Sequence, residues 1–327
     1  MQSYRAPRWL GGHGPLGGNA QTIWPALLSR RYVGEAPRYQ RERWILPDGD
    51  FIDVDRVPAA TKDAPLLVLF HGLEGSSASH YSQAFAHLAR ERGWHYAVPH
   101  FRGCSGEMNL APRAYHSGDY EEVGWMLQRF RRAHIGPMLV AGISLGGNAM
   151  LRWAEESGDT ARPVARAIAA ISAPLDLAAS GRAIGIGFNR LTYTRMFLRT
   201  MRRKALQKLE QYPGLFDRDK MIRISDLYAF DNLFTAPVHG FRDTDDYWQR
   251  ASSISQLADI RVPALVLNAL NDPFVPAASL PAQHAVGAHV TLWQPQHGGH
   301  VGFPGGSFPA DVLSLPDAVM GWMAQHL

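Results

Sequence analysis

Short, continuously apolar runs recur along the chain: Pro-Leu-Leu-Val-Leu-Phe at 65–70 and Pro-Met-Leu-Val-Ala-Gly at 137–142, with the same theme at 164–171 and 262–269. A run of this kind shows no alternation of polar and apolar residues. It therefore fits a strand buried on both faces, and sheets with both faces covered are mostly parallel. Parallel neighbours need a crossover, normally a helix. The intervening stretches supply one: residues 79–93 place Phe85, Leu88 and Ala89 at helical spacing, and 118–134, 146–157, 277–286 and 309–327 also read as helices. Strands are expected at 94–100 and 289–293. A hairpin is expected at 41–46 and 51–57 across Pro-Asp-Gly-Asp, and a helix near 21–29. Strands alternating with helices predict an α/β, doubly wound, mostly parallel sheet.

Residues 176–250 break that alternation. They are helical in pattern, aromatic and basic, with no buried-strand run, and they read as an inserted helical lid. The expected organisation is a core of residues 1–175 and 251–327, with an N-terminal extension at 1–40 and the lid at 176–250. Within the lid Phe197, Met201, Ala205 and Leu209 repeat every four residues, while Arg195, Arg199, Arg202 and Arg203 lie on other faces. Packing of the apolar stripe onto the core is the favoured reading. Weak peripheral contact with an anionic membrane surface is the alternative.

Composition removes whole classes of function. A chain of 327 residues with 46% hydrophobic and 19% charged residues is ordinary globular material, large enough to bury a core without staples. One cysteine, Cys104, excludes an intrachain disulfide and a Cys-based zinc cluster, and fits a reducing compartment. The first ten residues hold no apolar core of signal-peptide length, and no run reaches the ~18 apolar residues of a membrane span. The expected location is cytoplasmic. Net charge is +4, yet Lys occurs only at 62, 204, 208 and 220, and most Arg is scattered among acids. No aromatic and basic residues interleave as an RNA-binding sheet requires, so no nucleic-acid partner is expected. Histidines at 95, 100, 116, 134 and 239 lack metal-ligand spacing, and no metal or other cofactor is implied. Gly12-His13-Gly14-Pro15-Leu16-Gly17 matches G-x-G-x-x-G, but no strand can precede it and a proline lies inside it, so no dinucleotide site is expected.

One segment carries chemistry. Gly142-Ile143-Ser144-Leu145-Gly146 matches G-x-S-x-G, with a buried-strand run before it and a helical stretch after it. That context makes Ser144 a candidate nucleophile on a sharp strand-to-helix turn. A nucleophilic serine needs a base, and the base needs an orienting acid, in the chain order Ser, acid, His on such a sheet. Asp272 follows the run 264–269, and His300 follows the last strand in His297-Gly298-Gly299-His300. Asp176 and His297 are the competing choices. An oxyanion needs two backbone N–H groups: Leu145, just after the serine, and Leu73, in His71-Gly72-Leu73-Glu74-Gly75 after an earlier strand. The loop 102–116, with Glu107, Asn109, Arg113, Tyr115 and His116, either lines the pocket or holds itself by its own hydrogen bonds. Cys104 within it reads as a small loop or buried residue rather than a second nucleophile.

Together, His71-Gly72-Leu73-Glu74-Gly75-Ser76-Ser77, Arg102-Gly103-Cys104-Ser105-Gly106-Glu107, Ser144-Leu145-Gly146-Gly147-Asn148, Asn271-Asp272-Pro273-Phe274 and His297-Gly298-Gly299-His300-Val301-Gly302-Phe303 resemble one branch of the α/β-hydrolase superfamily. That branch holds the bacterial YheT-type hydrolases and the mammalian abhydrolase-domain phospholipases. Gln21-Thr22-Ile23 and Thr235-Ala236-Pro237-Val238-His239-Gly240-Phe241 are also similar to it. The resemblance implies an α/β-hydrolase fold, with Ser144, Asp272 and His300 at the triad positions and carboxylic ester or lipid substrates. The expected function is a serine esterase working through an acyl-enzyme without cofactor. Acyltransferase, thioesterase or amidase chemistry on the same triad, or a non-catalytic binding protein of the same fold, are the alternatives.

Overall fold

The structure, a computed structural model, describes residues 1, 3–11 and 15–327. Positions 12–14, and with them the centre of the G-x-G-x-x-G match, lie outside the described residues. The sheet has eight strands: β1 (Gln40–Ile45), β2 (Phe51–Val57), β3 (Leu66–Phe70), β4 (His95–Pro99), β5 (Met138–Ile143), β6 (Ala167–Ile171), β7 (Ala264–Leu267) and β8 (Val290–Trp293). Their spatial order is β1-β2-β4-β3-β5-β6-β7-β8. β1 and β2 form the expected hairpin, with Ile45 opposite Phe51, and β2 runs antiparallel to β4. From β4 to β8 every pairing is parallel.

Burial on both faces explains the apolar runs. Along β3, Leu66, Val68 and Phe70 face one core layer, while Leu67 and Leu69 face the other. The first layer packs against α3 (Tyr120–Ala133) and α4 (Leu145–Ser157) through residues such as Met126, Phe130, Met150 and Leu151. The second packs against α2 (His80–Glu91) and the C-terminal helix through Phe85, Ala89, Val319 and Met323. Each of the larger side chains among these, the Leu, Val, Phe and Met, contributes roughly 1.5–3 kcal/mol of transfer free energy. The parallel strands also put the ends of β3, β5, β7 and β8 on one sheet edge, where α/β folds bind ligands.

Between β6 and β7 the described residues contain helices and no strand. α5 (Leu177–Ile184), α6 (Arg195–Gln211) and α7 (Thr244–Ala251) are the longer ones; shorter helices at Arg218–Arg223, Leu227–Phe230 and Ala236–Val238, with a π-type turn at Asp231–Thr235, lie between α6 and α7. Asp176 caps α5 by accepting from the Ala179 N–H at 2.9 Å, and Asp243 caps α7 through Asp246 N–H at 2.8 Å. α6 buries Leu198, Ala205 and the stem of Lys208, leaving Arg195, Arg199 and Arg203 exposed.

Three elements depart from the sequence reading. The helix expected at 277–286 is two separate single turns, Ala277–Ser279 and Gln283–Ala285. Pro281 lacks an N–H and holds Leu280 extended at ψ 143°, so no helix can pass. The C-terminal helix α8 begins at Ser314 rather than near 309 (Ser314–Ala324), because Asp311 is engaged instead in a bridge with Gly305. The first helix, α1 (Pro15–Leu27), starts well before 21. Its glycines look like coil formers, but a Cβ on Gly18 would lie 2.0 Å from the Asn271 carbonyl oxygen. Glycine there lets a helix approach the loop after β7.

Candidate active site

Ser144 sits where β5 turns into α4, with φ 51° and ψ −119°, a conformation costing a non-glycine residue on the order of 1–3 kcal/mol. The flanking glycines make the turn sterically possible. A Cβ on Gly142 would stand 2.6 Å from the Gly146 carbonyl oxygen, and one on Gly146 only 2.4 Å from that of His71. The turn projects the hydroxyl over the sheet edge.

The histidine and the aspartate arrive from the ends of β8 and β7. His300 Nε2 lies 3.0 Å from Ser144 Oγ, and His300 Nδ1 lies 2.9 Å from Asp272 Oδ2. The other carboxylate oxygen of Asp272 accepts from the N–H groups of Phe274 (2.8 Å) and Val275 (3.3 Å). With two backbone donors on Oδ1, only Oδ2 remains for the imidazole. The ring of Phe274 packs on that of His300 at 4.2 Å. Of the competing residues, Asp176 is spent on its helix cap, and the bonds to Ser144 and Asp272 are made by His300 rather than by His297.

Leu73 and Leu145 line the same cavity as Ser144. Leu145 is the first residue of α4, whose N-terminal N–H groups have no intrahelical acceptor and carry a partial positive charge. In the loop after β3, the Gly72 N–H donates to Tyr81 Oη (3.0 Å) and the Glu74 N–H to Tyr115 Oη (2.8 Å). The Leu73 N–H between them makes no such bond among the described residues. His71 holds this loop. Its Nδ1 bonds the Gly72 carbonyl at 2.8 Å and its Nε2 accepts from the Phe101 N–H at 3.1 Å. Full burial drives its pKa down to about 3, so the ring stays neutral. Lys204 of α6 donates to Glu74 at 2.9 Å and ties the helical segment to the loop.

Two buried residues of α1 position the histidine. The His300 N–H donates to Thr22 Oγ1 at 2.9 Å, and Gln21 Oε1 accepts from Gly298 N–H and Asn271 Nδ2, both at 2.9 Å. The sequence flags Gln21 and Thr22 only as part of a resemblance. Their physical signal is two adjacent polar residues just before the apolar run Ile23-Trp24-Pro25-Ala26-Leu27.

Two cavities meet at Ser144. One, of about 390 Å³, opens between α1 and α6 and is lined by His300, Gly72, Thr22, Leu27, Tyr193 and Met196. The other, of about 120 Å³, lies under the helical segment against Leu145, Phe197, Met201, Asp231, Tyr247 and Trp248. Tyr115 and His116 reach the second cavity, whereas Arg102 anchors its own loop to Asp48, Asp50 and Glu122. Burial lifts the Cys104 thiol to about 11, so it is not a ready nucleophile.

Comparison with known proteins agrees with this architecture. Residues 65–307 match the model of the family described as alpha/beta hydrolase fold. YheT of Escherichia coli (strain K12), an esterase by name, is 37% identical over 313 residues, covering 94% of this chain and 90% of its own. Phospholipase ABHD3 of Mus musculus is 28% identical over 295 residues, 86% of this chain and 71% of its own. Monoacylglycerol lipase of Saccharomyces cerevisiae (strain ATCC 204508 / S288c) is 29% identical over 249 residues, 73% and 55% respectively. Among solved structures, Est1E from Butyrivibrio proteoclasticus with bound ferulic acid covers 88% of this chain and 98% of its own at TM-score 0.56 and 15% identity. Mouse alpha/beta hydrolase domain-containing protein 10 covers 88% and 99% at TM-score 0.55 and 14% identity. At such identities the likeness of the two structures is one of fold alone.

Proposed function

The chain belongs to the α/β-hydrolase family, and from that premise we propose that it is a serine hydrolase cleaving carboxylic esters through an acyl-enzyme. The observation that carries the reading is the unbroken chain Ser144 Oγ–His300–Asp272 at 3.0 and 2.9 Å. In this reading His300 Nε2 takes the serine proton as Oγ attacks the ester carbonyl. The Leu73 and Leu145 N–H groups stabilise the resulting oxyanion, and His300 then protonates the departing alcohol. A water, deprotonated by the same ring, releases the acid from Ser144. Asp272 keeps the Nδ1 proton on its own side, so that Nε2 presents its lone pair to the serine. The names of the relatives, an esterase and two lipases, favour esters over amides.

The leaving oxygen must lie within reach of His300. The larger cavity, which His300 lines, therefore suits the alcohol half, and the smaller one the acyl half. Residues 176–250 act in this reading as a lid, since Leu177, Phe197, Met201 and Trp248 close the smaller cavity over Ser144. A fluorophosphonate probe should label the wild type and not Ser144→Ala, and p-nitrophenyl butyrate should be hydrolysed only by the former. Labelling elsewhere, or none with the protein folded, refutes the reading.

Peripheral contact with a lipid surface belongs to the same proposal. Among the described residues no helix is long and apolar enough to cross a membrane. Leu27 and Met196, both at the rim of the larger cavity, are 70% and 54% exposed, and Ile186, Phe188 and Leu191 are exposed nearby in sequence, beside the free faces of Arg195 and Arg199. Anionic liposomes should bind the wild type more tightly than Arg195→Gln/Arg199→Gln; equal binding removes the lipid contact and leaves the hydrolase reading intact.

A further inference from the structure

Away from Ser144 the wall of the smaller cavity is largely apolar, with Leu177, Ile184, Phe197, Met201, Leu227 and Trp248 on it. Among the described residues Asp231, the first residue of the π-type turn, is the one carboxylate on its wall. One donor already reaches it, Trp248 Nε1 to Oδ2 at 2.9 Å, and the Thr235 hydroxyl is a second neighbour. A carboxylate offers about four acceptor sites, so these two donors leave roughly half of them unused. Among the described residues no lysine, arginine or histidine forms an ion pair with it. Ser180 of α5 lines the same cavity, is only 3% exposed, and its Oγ has no hydrogen-bond partner among the described residues.

The surroundings are shaped to present this carboxylate. Gly181 packs flat against the Trp248 indole, where a Cβ would fall 2.3 Å from Cη2. That contact seats the ring whose N–H holds Asp231. Burial raises the Asp231 carboxyl to about 6. At neutral pH it is therefore mostly ionised, and an ionised group without a cation in an apolar cavity is costly unless a donor meets it.

We propose that Asp231 and Ser180 form a polar subsite receiving a hydrogen-bond donor, a hydroxyl or an ammonium, carried on the acyl chain of the substrate. Assignment to the acyl half rests on the serine-hydrolase reading; the existence of the subsite does not. The consequence is a preference against plain alkyl chains, which would leave both polar groups unmet.

Three esters of matched length separate the outcomes: ethyl hexanoate, ethyl 6-hydroxyhexanoate and ethyl 6-ammoniohexanoate. The wild type should hydrolyse one or both donor-ended esters at least tenfold more efficiently, in kcat/KM, than the methyl-ended one. Asp231→Asn keeps an acceptor for Trp248 Nε1, so the fold and any hydroxyl preference should survive while an ammonium preference falls at least tenfold. Asp231→Leu should reverse the order in favour of ethyl hexanoate. The same esters titrated calorimetrically into Ser144→Ala should bind in the wild-type order, and that order should vanish in Ser144→Ala/Asp231→Leu. A wild type indifferent to the chain end, or an order unchanged by both Asp231 variants, overturns the subsite. If no ester is hydrolysed and the probe leaves Ser144 unlabelled, the hydrolase reading fails, and the calorimetric order alone then upholds or overturns the subsite.

Discussion

Asp272→Asn tests the proposed triad at the point where the geometry is most restrictive. An asparagine has one oxygen and one NH₂ where the carboxylate has two oxygens. Oδ1 of Asp272 faces two backbone donors, the N–H groups of Phe274 and Val275. The NH₂ cannot turn toward them without setting donor against donor, so the amide must put its oxygen there. Its NH₂ then points at His300 Nδ1, 2.9 Å away in the wild type. Nδ1 is forced to accept, the ring proton moves to Nε2, and the lone pair that should take the Ser144 proton is lost. A wrong-tautomer triad of this kind costs about 10⁴-fold in kcat, or about 5 kcal/mol at 1.36 kcal/mol per decade. Turnover of p-nitrophenyl butyrate, with thermal melts to confirm folding, measures it. Asp176→Asn is the control, since its caps-only role leaves turnover nearly intact. A loss below tenfold at Asp272, or a larger loss at Asp176, refutes the argument.

Leu145→Pro deletes one proposed oxyanion donor and should cost roughly 3 kcal/mol of transition-state stabilisation, while Leu145→Ala keeps the N–H; equal kcat/KM in the two folded variants counts against the assignment. Met201 lines the smaller cavity, so Met201→Trp should lower kcat/KM for long acyl chains far more than for acetate, at about 0.8 kcal/mol per excluded methylene; an unchanged chain-length profile removes the lid from the pocket. The Asp231 carboxyl is raised to about 6 from 3.8, so the native state keeps a proton that the unfolded chain has already lost. By that sign the wild type loses stability relative to Asp231→Asn as pH rises from about 4 to 6, and parallel melting curves across that range would disprove it. Cys104, buried with its thiol near 11, should react with a disulfide reagent at pH 8 only in denaturant; prompt reaction of the native protein contradicts its burial.

The sheet is legible because its information is local. Val68 and Leu69 point to opposite faces and are both fully buried, which is what a run without alternation states. Ser144 and Asp272 each follow such a run, His300 follows the last, alternating strand, and parallel strands bring these ends to one edge. The misread segments lack that redundancy. Residues 277–286 have helical composition, and Pro281 decides the outcome through one missing N–H. The first turns of α1 look like coil because Gly18 answers to the Asn271 backbone, more than 250 positions away, and not to its neighbours in sequence.

The same distinction governs the polar residues around the site. A buried hydroxyl or amide is intelligible only through its partner. Gln21 meets Gly298, Thr22 meets His300 and Trp248 meets Asp231, all across gaps that no periodicity spans. The half-buried His300 N–H would lose its protein partner without Thr22 Oγ1, at a cost below the ~1–3 kcal/mol of a fully buried orphan. Orphaning it would free a loop whose two glycines already permit other paths. Thr22→Val should therefore lower kcat as well as melting temperature, and Thr22→Ser, which restores the oxygen, should recover kcat even where the lost methyl leaves the melt depressed. A loss of stability with kcat unchanged in Thr22→Val would mean that α1 merely buttresses the loop and does not aim the imidazole.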